Sequence, residues 1–331
     1  MGSLGQPMEG LPVAQLDVID YSRLSKNDTQ EVQRLLKACT QEGFFYLDLS
    51  GGDSRVLSQV DRVYAFMEEW LGQSHEEKMK NYQTNYTDGY KPTGYFAGVD
   101  DKSRDNSETL KVSHKAFTTT PPSLPQGVQK HGDMLHSYLD TASGIAIQLL
   151  SALSDGLGLK DSERFEAFHA DREDSNSTLV LLKYPYIDPA TRNKQVGHNK
   201  HTDIGSITML FTDQWGLQVM RPGSDKWEYI EPSPSCAIIN VGDCLRFLSQ
   251  KKLLSCLHRV VPAEGSTADR NTIAYFLRPS NKATFVDSNG ELSTAADWHD
   301  RKYEVFRSTH DDQRKDTILT GGLEAEGKLS A

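Results

Sequence analysis

From Thr178 onward the chain of 331 residues becomes a series of short strand-like runs, separated by little more than Gly, Pro, Asp and Ser turns. The runs fall at 179–184, 207–211, 217–220, 227–230, 237–241, 257–261 and 271–277. Many short strands in series close into a sandwich or barrel. The expectation here is a jelly roll, the double-stranded β-helix of cupin-like folds. The first half reads differently. A helical pattern from Asn27 or Asp28 carries Val32, Leu35, Leu36 and Cys39 at helical spacing and stops at Gly43. A second starts at Ser54 and places Val56, Val60, Val63, Tyr64, Met67 and Trp70 on one face. Shorter helices are expected after Ser74 and over 162–169, a long one over 131–157, and strands over 11–19 and 44–49. Residues 83–130, rich in Gly, Pro and Tyr, read as irregular structure with one or two short strands. The fold class is thus mainly β with flanking helices. It divides into a disordered leader (1–10), an N-terminal α/β leader region packing on the core (11–177), a jelly-roll catalytic core (178–290) and a C-terminal helical cap and tail (291–331).

The chemistry centres on GHNKHTDIGSITMLFTD, residues 197–213. His201 and Asp203 are two apart at the edge of a strand, so alternation puts them on the same side. With one more imidazole the set becomes two His and one carboxylate on one face of a metal, the arrangement of non-haem Fe(II) with open positions for oxygen chemistry. His258, in Cys256-Leu257-His258-Arg259-Val260-Val261, is the candidate third ligand. Taken singly, each histidine reads equally well as a surface group or a hydrogen-bonded core residue. Two further features accompany the set. Arg270 and Thr272 share one face of the run 270–277, where a guanidinium fork and a hydroxyl suit the remote carboxylate of a dicarboxylate. Tyr184, ending an earlier strand, could complete that clamp or simply fill space. His198 reads as an exposed loop histidine.

Composition narrows the partners. A net charge of −10 with no concentrated basic patch argues against nucleic acid or an anionic membrane surface. Four cysteines in so long a chain make no disulfide scaffold, and no apolar run is long enough to span a bilayer. The start, MGSLGQPMEG, has neither a basic region nor an apolar core, and Gln6 spoils a myristoylation pattern. Sequons at Asn27, Asn85 and Asn176 therefore read as chance matches, and the expected location is cytoplasmic, with a small molecule as partner. Two other motifs fail on inspection. His75-Glu76-Glu77-Lys78-Met79 has Met79 where a zincin helix needs its second histidine, and the P-loop-like run at 322–328 is followed by Leu329 instead of Ser or Thr.

These features occur in a fixed order with ACTQEGFFYLDLSG (38–51), HEEKMKNY (75–82), LLKYPYID, HTDIGSITMLFTD, GLQVM, IINVGD, LHRVV and RNTIAYFLRPS. The ordered set resembles the 2-oxoglutarate/Fe(II)-dependent oxygenases, in the branch that contains isopenicillin N synthase and many fungal and plant enzymes of specialised metabolism. The resemblance covers most of the chain. It implies that His201, Asp203 and His258 hold Fe(II), that Arg270 and Thr272 bind the distal carboxylate of 2-oxoglutarate, and that Tyr184 helps to hold this cosubstrate. It implies no catalytic residue beyond the metal ligands, and O2 as oxidant. The expected outcome is oxidation of an unactivated C–H bond by hydroxylation, desaturation or ring rearrangement, with succinate and CO2 released. Three departures stand out. Thr272 replaces the family's usual Ser and keeps the hydroxyl. Leu182 stands where many plant members carry Asn, and the loop between His258 and Arg270, around 263–266, is slightly longer than is common. Two alternatives remain at this point. One is an iron oxidase of isopenicillin N synthase type that does without 2-oxoglutarate; the other is a non-catalytic jelly-roll binding protein. Pocket walls are expected from residues 90–98, from Arg246 and Phe247, and from the C-terminal helix.

Overall fold

The computed structural model describes residues 10–51, 55–120, 122–170, 174–188, 197–261 and 267–324. The expected disordered leader up to residue 9, the loop at 263–266, most of the P-loop-like run and the chain end from 325 lie outside them. The chain begins with β1 (Val18–Asp20), α1 (Tyr21–Leu24), α2 (Thr29–Gln41) and β2 (Phe44–Asp48). Asp28 caps α2, its carboxylate accepting from the amides of Gln30 and Glu31. Next come α3 (Arg55–Leu71), α4 (His75–Met79), β3 (Gly89–Lys91), β4 (Glu108–Ser113), α5 (His114–Thr118) and the long α6 (Gly132–Gly156). The strand-rich part runs β5 (Thr178–Tyr184), β6 (His198–His201), β7 (Ile207–Thr212), β8 (Leu217–Met220), β9 (Glu228–Tyr229) and β10 (Cys236–Val241). It continues through α7 (Asp243–Leu248), β11 (Leu257–Val260) and β12 (Arg270–Leu277). The chain closes with β13 (Thr284–Val286), β14 (Leu292–Thr294), α8 (Ala295–Arg307) and α9 (His310–Gln313).

Two facing sheets form a jelly roll. The larger has the order β1-β2-β10-β7-β12-β5-β4-β3 and the smaller β6-β11-β8-β9. From β5 to β12 the chain passes back and forth between them, and every pairing in this part is antiparallel. Period-two alternation gives the large sheet two faces of different character. Ile273, Tyr275 and Leu277 of β12, Ile207, Met209 and Phe211 of β7, and Ala237, Ile239 and Val241 of β10 form one cluster with α3 and α6. Each large side chain so buried contributes on the order of 1.5–3 kcal/mol. The other face turns toward the small sheet and carries Arg270, Thr272, Thr208, Asn240 and Lys111, all buried. The inner face is thus mixed, these polar residues standing among apolar ones such as Leu210, Ile238 and Phe276.

The structure departs from the sequence reading in places. The stretch 83–130, expected to be irregular with one or two short strands, carries β3 and β4, and β4 lies inside the large sheet between β3 and β5. Its polar Thr109 and Lys111 occupy inward positions, which hides the strand signal. His198–His201 is a strand although all four residues are polar; it is defined by pairing with β11. Only Val18–Asp20 of the stretch 11–19 is a strand, with Val13 adding an isolated bridge to Tyr229. The helix expected over 162–169 is a pair of 3-10 turns, Asp161–Glu163 and Phe165–His169. Among the described residues, no helix is long and apolar enough to cross a membrane.

Candidate active site

His201 ends β6 and His258 lies directly across from it in β11. Asp203 follows in the turn leading to β7, and that turn has no room to spare: a Cβ on Gly205 would sit 2.6 Å from the carbonyl oxygen of Leu277. The result is convergence. Asp203 Oδ1 is 3.7 Å from His201 Nε2 and 3.6 Å from His258 Nε2, and the two imidazole centroids are 4.2 Å apart. Each ring is aimed from behind. His201 Nδ1 faces the carbonyl of Asn199 at 2.7 Å and His258 Nδ1 that of Cys256 at 3.2 Å. A carbonyl can only accept, so each Nδ1 donates to it and each Nε2 is the atom turned toward Asp203, the one metal ligation requires. Asp203 Oδ2 accepts from Thr208 Oγ1 at 2.5 Å and Asn240 Nδ2 at 2.6 Å, which leaves Oδ1 toward the imidazoles. Burial alone would raise this carboxyl, but the His258 and His201 imidazoles and the bonds it accepts hold it well below the usual carboxylate range. Burial, with His258 and His198 alongside, pushes His201 well below its ordinary value. The trio is therefore an ionised carboxylate with a neutral imidazole at His201, the protonation a divalent cation needs. Thr208 and Asn240 escaped the sequence reading. Their one signal was a polar residue inside each of two apolar strands, ITMLFT and CAIINV.

A second feature lies along the inner face of β12. Arg270 and Thr272 share that face, and Arg270 stands opposite Tyr184 in the register with β5. The guanidinium is buried 5.3 Å from the Tyr184 ring centroid. Its Nε donates to the carbonyl of Gln214 at 3.3 Å, whereas Nη1 and Nη2 have no partner among the described residues. Leaving two charged donors unsatisfied in a buried site costs several kcal/mol unless a ligand completes them. A carboxylate fits that fork. The donor set of the trio and these orphaned nitrogens thus both suit the groups the sequence implied.

Comparison with known proteins agrees. Residues 175–279 match the model of the 2OG-Fe(II) oxygenase superfamily, and residues 16–132 match that of the non-haem dioxygenase in morphine synthesis N-terminal region. The 2-oxoglutarate-dependent dioxygenase frbH of Dothideomycetidae sp. (strain 11243) is 40% identical over 96% of this chain and 98% of its own length. The 2-oxoglutarate-dependent dioxygenase gloE of Glarea lozoyensis is likewise 40% identical, over 95% of both chains. The chain belongs to the 2OG-Fe(II) oxygenase superfamily. It is a dioxygenase that works with Fe(II), 2-oxoglutarate and O2 on a small-molecule substrate. The fold agrees: the crystal structure of the dioxygenase for auxin oxidation in rice superposes with a TM-score of 0.69 at 19% identity, covering 96% of this chain and 100% of that one.

In this oxygenase a cavity, partly open to solvent, is lined by His201 and Asp203 of the trio. Phe96, Val180, Leu182, Phe276 and Phe306 give it apolar walls. Phe96 comes from the expected stretch 90–98, and Tyr303 and Phe306 from the C-terminal helix. Arg246 and Phe247 do not take part, contrary to expectation. Arg246 is buried with Nη1 bonded to the carbonyl of Gly321 at 2.7 Å, and Phe247 packs on Trp298 and Phe285 beneath the cap. His198 also corrects the sequence reading. It is a buried strand residue lining the cavity, 4.7 Å from the Phe306 ring and pushed down to about 3 by burial and by the neighbouring His258 and Lys111.

One buried ion pair steadies the ligand loop. Lys302 of α8 bonds the Asp243 carboxylate and Thr202 Oγ1, and the amide of Asp243 donates to the Asp203 carbonyl at 2.8 Å. Removing one partner of such a pair costs about 3–5 kcal/mol, because the other charge stays buried. A different trio, His114, His136 and Asp140, also brings potential ligand atoms together, but there His136 is half-buried and Asp140 exposed.

Proposed function

We propose that this dioxygenase oxidises an unactivated C–H bond of a small specialised metabolite, with His201, Asp203 and His258 holding Fe(II). Arg270, Thr272 and Tyr184 hold 2-oxoglutarate, Arg270 taking its distal carboxylate. The reading rests above all on one observation, the two Nε2 atoms and Asp203 Oδ1 meeting at one buried point. When bound, Fe(II), 2-oxoglutarate and O2 supply the oxidising power, and succinate and CO2 leave. The protein's own work is placement and exclusion. Asn199 and Cys256 carbonyls fix the imidazoles, Thr208 and Asn240 fix the carboxylate, and Phe96, Leu182 and Phe306 keep water from the reacting C–H bond.

Homologues named as fungal 2-oxoglutarate-dependent dioxygenases support a specialised-metabolite substrate. The four free cysteines, three of them buried, fit the cytoplasm, and the net charge of −10 fits a protein that binds neither nucleic acid nor membrane. The core at 178–290 is the catalytic unit, with the described part of 11–177 packed on it and 291–324 closing one end. The test is succinate released in step with substrate oxidised. Turnover that proceeds at full rate without added 2-oxoglutarate refutes the clamp and leaves the iron-oxidase reading.

A further inference from the structure

The cavity beside the trio contains more positive charge than the described residues balance. Arg278 follows β12 by one residue and continues its inner face, eight positions beyond Arg270. Lys111 projects from the inner face of β4, and both residues line the cavity with His201 and Asp203. Both are buried, and among the described residues neither forms an ion pair with a carboxylate. Lys111 Nζ has only neutral partners, the Tyr303 hydroxyl at 2.6 Å and the Tyr86 carbonyl at 3.1 Å, with the Tyr303 ring centroid 4.5 Å away. Arg278 Nη1 bonds the Asn176 carbonyl, and its Nε has no partner. Two uncharged groups on the same wall, Thr109 Oγ1 and His198 Nδ1, are also buried without partners.

The rest of the centre does not supply the missing charge. Lys302, the third cation lining the cavity, is matched by Asp243. Fe(II) with Asp203, and 2-oxoglutarate with Arg270, cancel once the iron's second charge is set against the second carboxylate of 2-oxoglutarate. Asp88, which acts on Lys111 from a distance, already accepts from the Ser113 amide and hydroxyl. Isolated charges are expensive to bury, and burial together with Lys91 and Arg278 pushes the Lys111 ammonium well below its ordinary value.

We propose that Lys111 and Arg278 bind a carboxylate on the substrate, so that the enzyme oxidises a carboxylic acid with an otherwise apolar body. The assignment rests on the oxygenase reading above and deepens it. Phe96, Leu182 and Phe306 accommodate the apolar part, and the two cations fix the distance between the acid and the C–H bond presented to the metal.

The probes are benzoate, 3-phenylpropionate and octanoate, each against its primary amide. They are titrated calorimetrically into the full chain loaded with Mn(II) and saturating 2-oxoglutarate. At least one acid should bind about tenfold or more tightly than its amide, since only the acid gains charge-assisted bonds. Lys111→Met and Arg278→Gln should each erase that preference, and Lys111→Arg should keep it. Equal binding of acids and amides, no binding by any acid, or a preference that survives in both neutral variants overturns the assignment. Anaerobic Fe(II) and 2-oxoglutarate, read by their weak visible charge-transfer band, separate the two failures. Absence of the band in the wild type counts against the cosubstrate reading alone. Its persistence in the variants shows that their lost acid binding is not lost folding.

Discussion

Arg270 and Arg278 stand on the same face of the same strand direction, eight residues apart, and both are buried with guanidinium nitrogens that the described residues do not satisfy. Their surroundings differ. Arg270 lies against Tyr184 and the Gln214 carbonyl, near Thr272 and Thr212 and away from the open cavity. Arg278 lies beside the cavity, with Lys111, His198 and the aromatic side chains of α8. The inner face of β12 thus carries a cation at each end, and the ligand trio lies nearer the Arg278 end, where Thr208, a donor to Asp203, is paired with Phe276. One end suits the cosubstrate 2-oxoglutarate, the other the substrate acid proposed above.

The comparison fails altogether if the trio is not the metal centre. His201→Ala or Asp203→Ala should lower turnover by about a thousandfold or more, as expected for loss of a group that acts only with the others. Circular dichroism should remain that of the wild type. Full turnover in either variant removes the point from which both arginines are measured.

Exchanging the two ends gives the next largest effect. Arg270→Gln should raise the 2-oxoglutarate concentration needed for half-maximal succinate release by roughly a hundredfold, the worth of about 2–3 kcal/mol for a bidentate charge-assisted contact. Arg278→Gln should leave that requirement nearly unchanged. If both variants shift the 2-oxoglutarate dependence alike, the two ends do not divide the labour.

A smaller effect isolates the support of the ligand trio. Asn240→Leu and Thr208→Val each remove one of the two donors to Asp203 Oδ2. Losing such a supporting bond weakens metal affinity by roughly 10–100-fold. Fe(II) titration of activity should show this, with the 2-oxoglutarate requirement at saturating iron as in the wild type.

How much of this was legible in the sequence depends on which way the faces of a strand point. RNTIAYFL and ITMLFT are short apolar runs bounded by turn residues, so the strands were readable, and period two puts Arg270 with Thr272 on a common face. Alternation does not say which face is inward. Here the wholly apolar face meets α3 and α6, while the mixed face lines the jelly roll. Thr208, Asn240, Thr109 and Lys111 therefore carried no signal of an inward role. HNKH at 198–201 offered no apolar residue at all, so His198 passed for a loop histidine; only pairing with β11 makes it a strand. The trio was legible because its three members come in a recognisable order. Arg246 and Phe247 misled because α7, which turns them under the cap, has no pattern of its own in six residues.

The smallest expected effect distinguishes the two ends by pH. Around the Arg278 end stand three buried histidines, His169, His198 and His299, pushed down to about 4, 3 and 4. Burial is the main cause for each, and nearby cations add to it for His198 and His299. An unfolded histidine takes up its proton near pH 6.5, so between there and about 4 the unfolded chain holds protons that the folded chain refuses. Stability from these groups is therefore complete above about pH 6.5 and is lost as the pH falls toward 4. His169 bonds the Phe165 carbonyl at 2.7 Å and Ser206 Oγ at 2.8 Å, contacts that a glutamine amide can largely replace. His169→Gln should thus keep the fold while removing one proton from the linkage. The slope of unfolding free energy with pH should flatten by up to about 1.4 kcal/mol per pH unit. Urea midpoints measured from pH 7.5 to 4.5 test it; a slope identical to that of the wild type would mean that His169 charges in the folded state and that this end of the molecule is less dry than its packing implies.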